Sequence, residues 1–187
     1  MTAAVLVPIK AFADAKVRLS PALSAPERVA LARRLAARVL GAAAPLAAFV
    51  VCDDEGVADF AAAAGATVLW TPGLGLDGAV QEGVTRLAAA GIDRAVVAHA
   101  DLPRVDGLAD FAGGVDPVVL APDRRNDGTN VLAVPTGAGF RFAYGPGSFS
   151  RHLAEAERLG LTARVIHDDR FAWDVDLPAD LEGLECS

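Results

Sequence analysis

Only two of the 187 residues are cysteine, Cys52 and Cys186, which excludes a disulfide framework and makes the cytoplasm the expected compartment. Histidine is scarce as well, at three residues, and no Cys/His group has the spacing of a zinc site. A G-x-S-x-G nucleophile elbow is absent, so Ser-His-Asp catalysis has no support. The first strand-to-turn segment carries neither a phosphate-loop motif nor a glycine-rich dinucleotide fingerprint, against a P-loop NTPase or a Rossmann site. Long hydrophobic runs are lacking too. The composition is 53% hydrophobic, but the longest apolar run, residues 39–52, is broken by Gly41 and Pro45 and is too short to span a bilayer. The opening MTAAVLVPIK has no basic stretch ahead of its apolar residues, so a secretory signal is not expected. Positive charge is in deficit: 17 basic residues stand against 24 acidic ones, a net charge of −7, the wrong sign for a protein that coats a nucleic-acid backbone. At this length folding hides roughly 70% of the chain's surface, and one domain over residues 1–187 is expected.

What is present is an alternation of short β-rich runs with helical stretches. Residues 4–9, 49–52, 67–70, 95–99, 118–120 and 131–134 read as strands, apolar throughout, as strands covered on both faces are. Between them lie helix signals, the clearest being Ser24-Ala25-Pro26-Glu27, a capping box ahead of an apolar face that includes Val29, Leu35 and Val39. The alternation predicts a mostly parallel sheet in a three-layer α/β/α arrangement, with the tail fraying after Leu181. In such sheets ligands bind at the carboxyl ends of the strands, so chemistry is sought in the loops there.

The first of these loops holds both lysines of the chain, Lys10 and Lys16, together with Arg18. A solvated basic loop and a polyphosphate cradle are both open readings. Gly73-Leu74-Gly75-Leu76-Asp77-Gly78 matches G-x-G-x-x-G only formally, since it follows the third strand; it is either a structural turn or a loop that lets a nucleoside approach the backbone. Asp101 follows an apolar strand and precedes Leu102-Pro103, which points its carboxylate into the crevice. Trp173-Asp174-Val175-Asp176, if extended, sets two carboxylates on one face. Converging carboxylates repel without a cation, and an oxygen-only set points to Mg²⁺; each aspartate alone also reads as a turn or cap residue. Asp127-Gly128-Thr129-Asn130 reads as a polar turn between strands. Tyr144-Gly145-Pro146-Gly147-Ser148-Phe149 reads as a glycine loop feeding a helix to about Gly160, with an anion site at the helix start or Ser148 simply as its N-cap. His99 and Cys52 read as core residues, and His152 and His167 as isolated.

Taken in order, LVPIKAFADAKVRLS, the capped helix, GLGLDGA, HADLP, APDRRNDGTNVL, FAYGPGSFSRH and WDVDLPADL resemble, along nearly the whole chain, the guanylyltransferases of coenzyme F420 biosynthesis, which act on 2-phospho-L-lactate or phosphoenolpyruvate. The resemblance implies a nucleotidyltransferase fold similar to that of the molybdopterin guanylyltransferases. It implies transfer of GMP from GTP to the phosphate of a three-carbon acid, with release of pyrophosphate. By the same resemblance Asp101, Asp174 and Asp176 are catalytic and hold Mg²⁺, and Thr129, Gly145 and Ser148 hold the phospho-acid. Lys10, Lys16 and Arg18 then cradle the triphosphate, while Gly75 and Asp77 belong to the guanosine loop. Two positions depart from the family pattern: Asp77, where asparagine is common, and Asn126-Asp127 ahead of Gly128-Thr129, where an uncharged residue is usual. An ionised acceptor phosphate is already a nucleophile and needs no general base. The implied partners are GTP and phosphoenolpyruvate or 2-phospho-L-lactate, with phosphoenolpyruvate favoured; neither nucleic acid nor membrane is expected, and a homodimer is admitted. The rival readings are another nucleotidyltransferase of the same fold, although the first loop lacks the paired glycines of the molybdopterin group, and a catalytically silent nucleotide-binding protein.

Overall fold

The computed structural model describes residues 1–113 and 117–184. Seven strands, β1 (Ala3–Pro8), β2 (Ala47–Cys52), β3 (Thr67–Trp70), β4 (Arg94–Ala98), β5 (Val118–Pro122), β6 (Thr129–Pro135) and β7 (Ala163–Val165), form one sheet in the order β3-β2-β1-β4-β6-β5-β7. Only β6 is reversed, pairing antiparallel with β4 and β5, while the remaining pairings are parallel. The helices are α1 (Ala25–Gly41), α2 (Glu55–Ala63), α3 (Gly75–Ala89), α4 (Ser148–Arg158) and the single turn α5 (Asp169–Ala172).

Alternation along β1 builds the layers. Val5 and Val7 pack on the face covered by α1, α2 and α5, through Ala36, Val57 and Phe171. Ala4 and Leu6 pack on the opposite face, against Val80, Val84 and Leu87 of α3. Both faces being covered explains why the strands are continuously apolar rather than alternating. Helix α3 comes close to the sheet at Gly83, where an added Cβ would lie 2.8 Å from side-chain carbons of both Leu6 and Val51. Helix α1 begins with the expected reciprocal box, the Ser24 N–H donating to the Glu27 carboxylate at 2.7 Å.

The differences from the sequence reading have local causes. Thr129 and Asn130 are not in a turn: the turn ends at Gly128, and Thr129 opens β6, paired with Pro122 across a register shift. The chain beyond Leu181 does not fray at once, because a 3-10 turn runs from Pro178 to Leu184 and Leu181 packs on the cluster of Leu19, Leu31, Leu35 and Val175. Residues 185–187, Cys186 among them, lie outside the described residues. No helix among the described residues is long and apolar enough to cross a membrane.

Sequential strands run outward from β1 through β2 to β3, and the chain then returns to place β4 on the other side of β1. The crevice at such a reversal, outside the carboxyl ends of β1 and β4, is where open α/β sheets bind ligands.

Candidate active site

A cleft of about 780 Å³ opens at that crevice, within the range of small-molecule sites. The loop after β1 enters it with Lys16 in the left-handed conformation, φ 56°, which turns the side chain inward. Its ammonium donates to Asp101 Oδ2 at 2.6 Å and to Asp176 Oδ1 at 3.1 Å, with only 9% of the side chain exposed. Burial works against that charge, yet Asp101 and Asp176 outweigh it and hold the ammonium above its ordinary range. Arg18 is exposed and stands 3.9 Å from Asp176, and Lys10 lines the mouth of the cleft. Of the three cations expected to cradle a triphosphate, Lys16 is thus already engaged with carboxylates.

Asp101 follows β4, at the strand end expected. The segment carrying the other two acids is extended at Trp173, and Val175 buries itself against Leu19, Leu31 and Leu35. With Val175 turned inward, its neighbours Asp174 and Asp176 turn to the cleft together, and both line it. Asp180 fixes the segment from behind, accepting from the Asp176 and Leu177 N–H groups at 2.8 and 2.7 Å and pairing with Arg124. Arg104 and Arg124 stack on the Trp173 ring, 4.3 and 4.2 Å from its centroid. Asn130, buried in β6, donates to the Phe171 carbonyl at 2.9 Å and so ties α5 to the sheet.

The electrostatics of the three acids differ. Burial, then Asp101 and Asp176, push the Asp174 carboxyl up to about 6. Burial also acts on Asp101, but the Lys16 ammonium reverses it and holds that carboxyl below its ordinary value. Among the described residues no group of three His, Cys, Asp or Glu side chains is arranged to hold a metal ion as it stands. The Lys16 ammonium lies between Asp101 and Asp176. The donor set nonetheless fits a hard divalent cation: Asp101 Oδ1 is buried without a hydrogen-bond partner, and Asp174 is strained toward its protonated form.

The opposite wall is formed by the loop ahead of α4 and the start of β6. Asp77, in the first turn of α3, accepts from the Tyr144 N–H at 2.8 Å, so its carboxylate braces this loop, and it is not among the residues lining the cleft. Gly75 does line it, with φ 64°. The Arg151 guanidinium donates to the carbonyls of Ala143, Tyr144 and Pro146 at 2.9, 3.0 and 2.6 Å. Asp127 accepts from the Gly147 N–H through Oδ1 and from the Phe149 N–H through its carbonyl, both at 3.0 Å. The Ser148 N–H donates to the Gly145 carbonyl at 2.9 Å. These three amides at the start of α4 are therefore satisfied internally, and what faces the cleft there is the Ser148 side chain rather than a bare helix terminus. Ser148 is not the N-cap: Gly147, at φ 74°, takes that position. Thr129, Gly145 and Ser148 all line the cleft on this wall.

Two histidines stand differently from expectation. His99 is not in the core, because β4 ends at Ala98 and places the next side chain on the cleft wall, with Nε2 buried and unpartnered. His152 is fully buried on α4, within hydrogen-bond distance of Thr129 and the Ala143 N–H. His167 is exposed and Cys52 is buried in the core. Asp180, Arg151 and Asn130 were missed by sequence reasoning; a buried asparagine in an otherwise apolar strand was the one signal available.

A family model described as Guanylyl transferase CofC like matches residues 3–185. A phosphoenolpyruvate guanylyltransferase of Sphaerobacter thermophilus is 36% identical over 193 residues, covering 98% of this chain and 93% of its own. A 2-phospho-L-lactate guanylyltransferase of Methanothermobacter thermautotrophicus is 33% identical over 190 residues, covering 97% of this chain and 83% of its own. Among solved structures, one described as a nucleotide-diphospho-sugar transferase from Desulfovibrio desulfuricans G20 superposes with a TM-score of 0.76 at 18% identity, over 98% of this chain and 87% of that one. A nucleotidyl transferase from Methanothermobacter gives 0.64 at 13% identity, over 98% and 95%. The structural likenesses show the fold, a nucleotidyltransferase α/β/α sandwich. With the three acids on one wall of the crevice, and relatives alike over nearly their full length, the chain belongs to the Guanylyl transferase CofC like family.

Proposed function

We propose that this protein transfers GMP from GTP to the phosphate of a three-carbon phospho-acid, phosphoenolpyruvate or 2-phospho-L-lactate, in coenzyme F420 biosynthesis. The observation that carries the reading is the meeting of Asp101, Asp174 and Asp176 with Lys10, Lys16 and Arg18 on one side of the cleft and Thr129, Gly145 and Ser148 on the other. The basic loop takes the triphosphate, and the wall of β6 and α4 takes the acid. Gly75 lines the same cleft, and the open space where a Cβ would stand leaves room for the guanosine. The metal that suits Asp101, Asp174 and Asp176 is Mg²⁺, which would supply charge neutralisation between the two anionic substrates.

The chain's own groups then account for the rest. The acceptor phosphate is ionised at neutral pH, so its oxygen attacks the α-phosphate without a general base, and neither His99 nor His152 is required to move a proton. Lys16 and Arg18 lie where charge on departing pyrophosphate can be taken up. Asp77 braces the acceptor loop through the Tyr144 N–H, which supports a positioning part for its carboxylate rather than a contact with the nucleotide.

The test is pyrophosphate release with GTP and Mg²⁺ against phosphoenolpyruvate, 2-phospho-L-lactate and 3-phosphoglycerate in turn. Release with one of the first two, abolished by Asp176→Asn, is expected. Silence with all three acids refutes the reading.

A further inference from the structure

The imidazole of His152 has both nitrogens engaged, and the partners fix its tautomer. The Ala143 N–H, which only donates, points at Nε2 across 3.1 Å. Nε2 is therefore an unprotonated acceptor, and the neutral ring carries its hydrogen on Nδ1. Nδ1 lies 3.0 Å from Thr129 Oγ1. The opposite tautomer would set two N–H groups against each other at Ala143. A charged ring would do the same, and burial, with Arg151 adjacent, pushes the imidazole down to about 4.

The consequence falls on Thr129. Its hydroxyl oxygen accepts from Nδ1, so its hydrogen has to point elsewhere, and among the described residues no acceptor other than the imidazole lies within reach. Thr129 is 2% exposed and lines the cleft. We infer that His152 is a positioning residue that occupies the Thr129 oxygen as an acceptor and leaves the hydroxyl hydrogen to donate into the cleft, favouring an anionic oxygen of the bound phospho-acid at that spot. This rests on the guanylyl-transfer reading for the identity of the ligand but not for the tautomer. A second link runs through the same ring: holding Ala143 N–H, His152 pins the start of the loop that carries Gly145, while Arg151 pins its remaining carbonyls. One buried ring thus sets the donor on β6 and the loop beside it, and a donor-only ligand group such as an ammonium is disfavoured because it would leave the Thr129 hydroxyl hydrogen without an acceptor.

Long-range proton–nitrogen NMR of the imidazole at neutral pH reads the tautomer directly, whether or not the protein turns over. The Nδ1–H form supports the inference; the Nε2–H form or a charged ring overturns it. Kinetics of Thr129→Val, His152→Phe, His152→Asn and the double variant Thr129→Val/His152→Phe read the consequence. A hydrogen bond to an anion contributes enough that roughly 10- to 100-fold loss is expected. Thr129→Val and His152→Phe should each raise the acceptor KM by that factor while moving the KM for GTP less than about threefold. The double variant should match the more impaired single variant. His152→Asn, whose amide nitrogen sits near the place of Nδ1, should recover most of the loss. Multiplied effects in the double variant, or an equal rise in both KM values for His152→Phe, would mean that His152 only supports the fold. Absence of turnover in the parent protein with either acid refutes the guanylyl-transfer reading alone, and the tautomer then decides the inference.

Discussion

Asp174→Asn should stabilise the metal-free protein while abolishing guanylyl transfer. Burial and the neighbouring Asp101 and Asp176 carboxylates push Asp174 up to about 6, and Lys16 hydrogen-bonds to those two acids rather than to this one. Against the ordinary value of 3.8, this corresponds to a ceiling of about 3 kcal/mol of destabilisation once the group ionises. Asp174 keeps some contact with solvent, so screening reduces the figure to about 1–2 kcal/mol. Its folded value is raised, so between pH 4 and 6 the folded state holds a proton that the unfolded chain has released; stability is lost as pH rises through that window and levels off above it. Asparagine keeps the shape and removes the charge. Thermal unfolding followed by circular dichroism, with a chelator present, should therefore show the variant about 2–8 °C above the parent at pH 7.5, the two converging near pH 4. Adding Mg²⁺ with GTP should raise the Tm of the parent and leave the variant nearly unmoved, because only the parent gains the binding free energy. A variant no more stable than the parent at pH 7.5, or an advantage that persists unchanged at pH 4, would refute the electrostatic reasoning.

Lys16→Met should lower the stability of the metal-free protein by about 2–3 kcal/mol at neutral pH, since the largely buried Asp101 would lose its cation while the half-exposed Asp176 keeps only Arg18, and millimolar Mg²⁺ should restore more of the Tm than it adds to the parent; an unchanged Tm in chelator would show that the ammonium contributes nothing. Gly83→Ala should cost about 1–3 kcal/mol in chemical denaturation, because the new methyl meets Leu6 and Val51 at 2.8 Å and the sheet has no room to yield; a neutral or stabilising result would mean α3 is free to move outward. Asp77→Ala frees the Tyr144 N–H and should raise the acceptor KM more than the KM for GTP; the reverse order would place Asp77 against the nucleotide after all.

The layered fold was legible because it rests on local pattern: apolar runs of strand length, a capping box at Ser24, and helix signals between them. β7 went unassigned for the same reason, since Ala163–Val165 is three residues long and largely exposed at an edge. The position of Asp101, Asp174 and Asp176 on the cleft was legible because a strand end and an i, i+2 spacing predict where a side chain points. Lys16 illustrates what spacing does not carry. Its residue type points to a phosphate partner, and nothing in its own segment reveals its contacts with Asp101 and Asp176, 85 and 160 positions along the chain. Asp127 is similar: it stands where an uncharged residue is usual, and its carboxylate accepts from the Gly147 N–H at the start of α4, a contact its own segment does not reveal. Both roles come from tertiary closure, which no single segment reveals.

The charge of the cleft bears on metal dependence independently of any single ligand set. Among the described residues, seven aspartates and four basic side chains line it, so its formal charge is negative before either substrate arrives. GTP brings about four more negative charges, and the phospho-acid up to three. At separations near 4 Å, each uncompensated like-charge pair costs about 4 kcal/mol at the effective dielectric of a partly buried site, far more than the hydrogen bonds of the walls return. Lys16 does not close the gap by itself, because its charge is shared between Asp101 and Asp176. On the proposed function, binding both polyanions calls for positive charge from outside the chain, and a dication beside Asp174 would also relieve the strain there. It follows that affinity for GTP should fall much more on chelation of Mg²⁺ than on raising monovalent salt, which screens only the exposed Lys10, Arg18 and Arg125. Equal sensitivity to the two, measured by titration calorimetry, would mean that the basic loop alone holds the nucleotide.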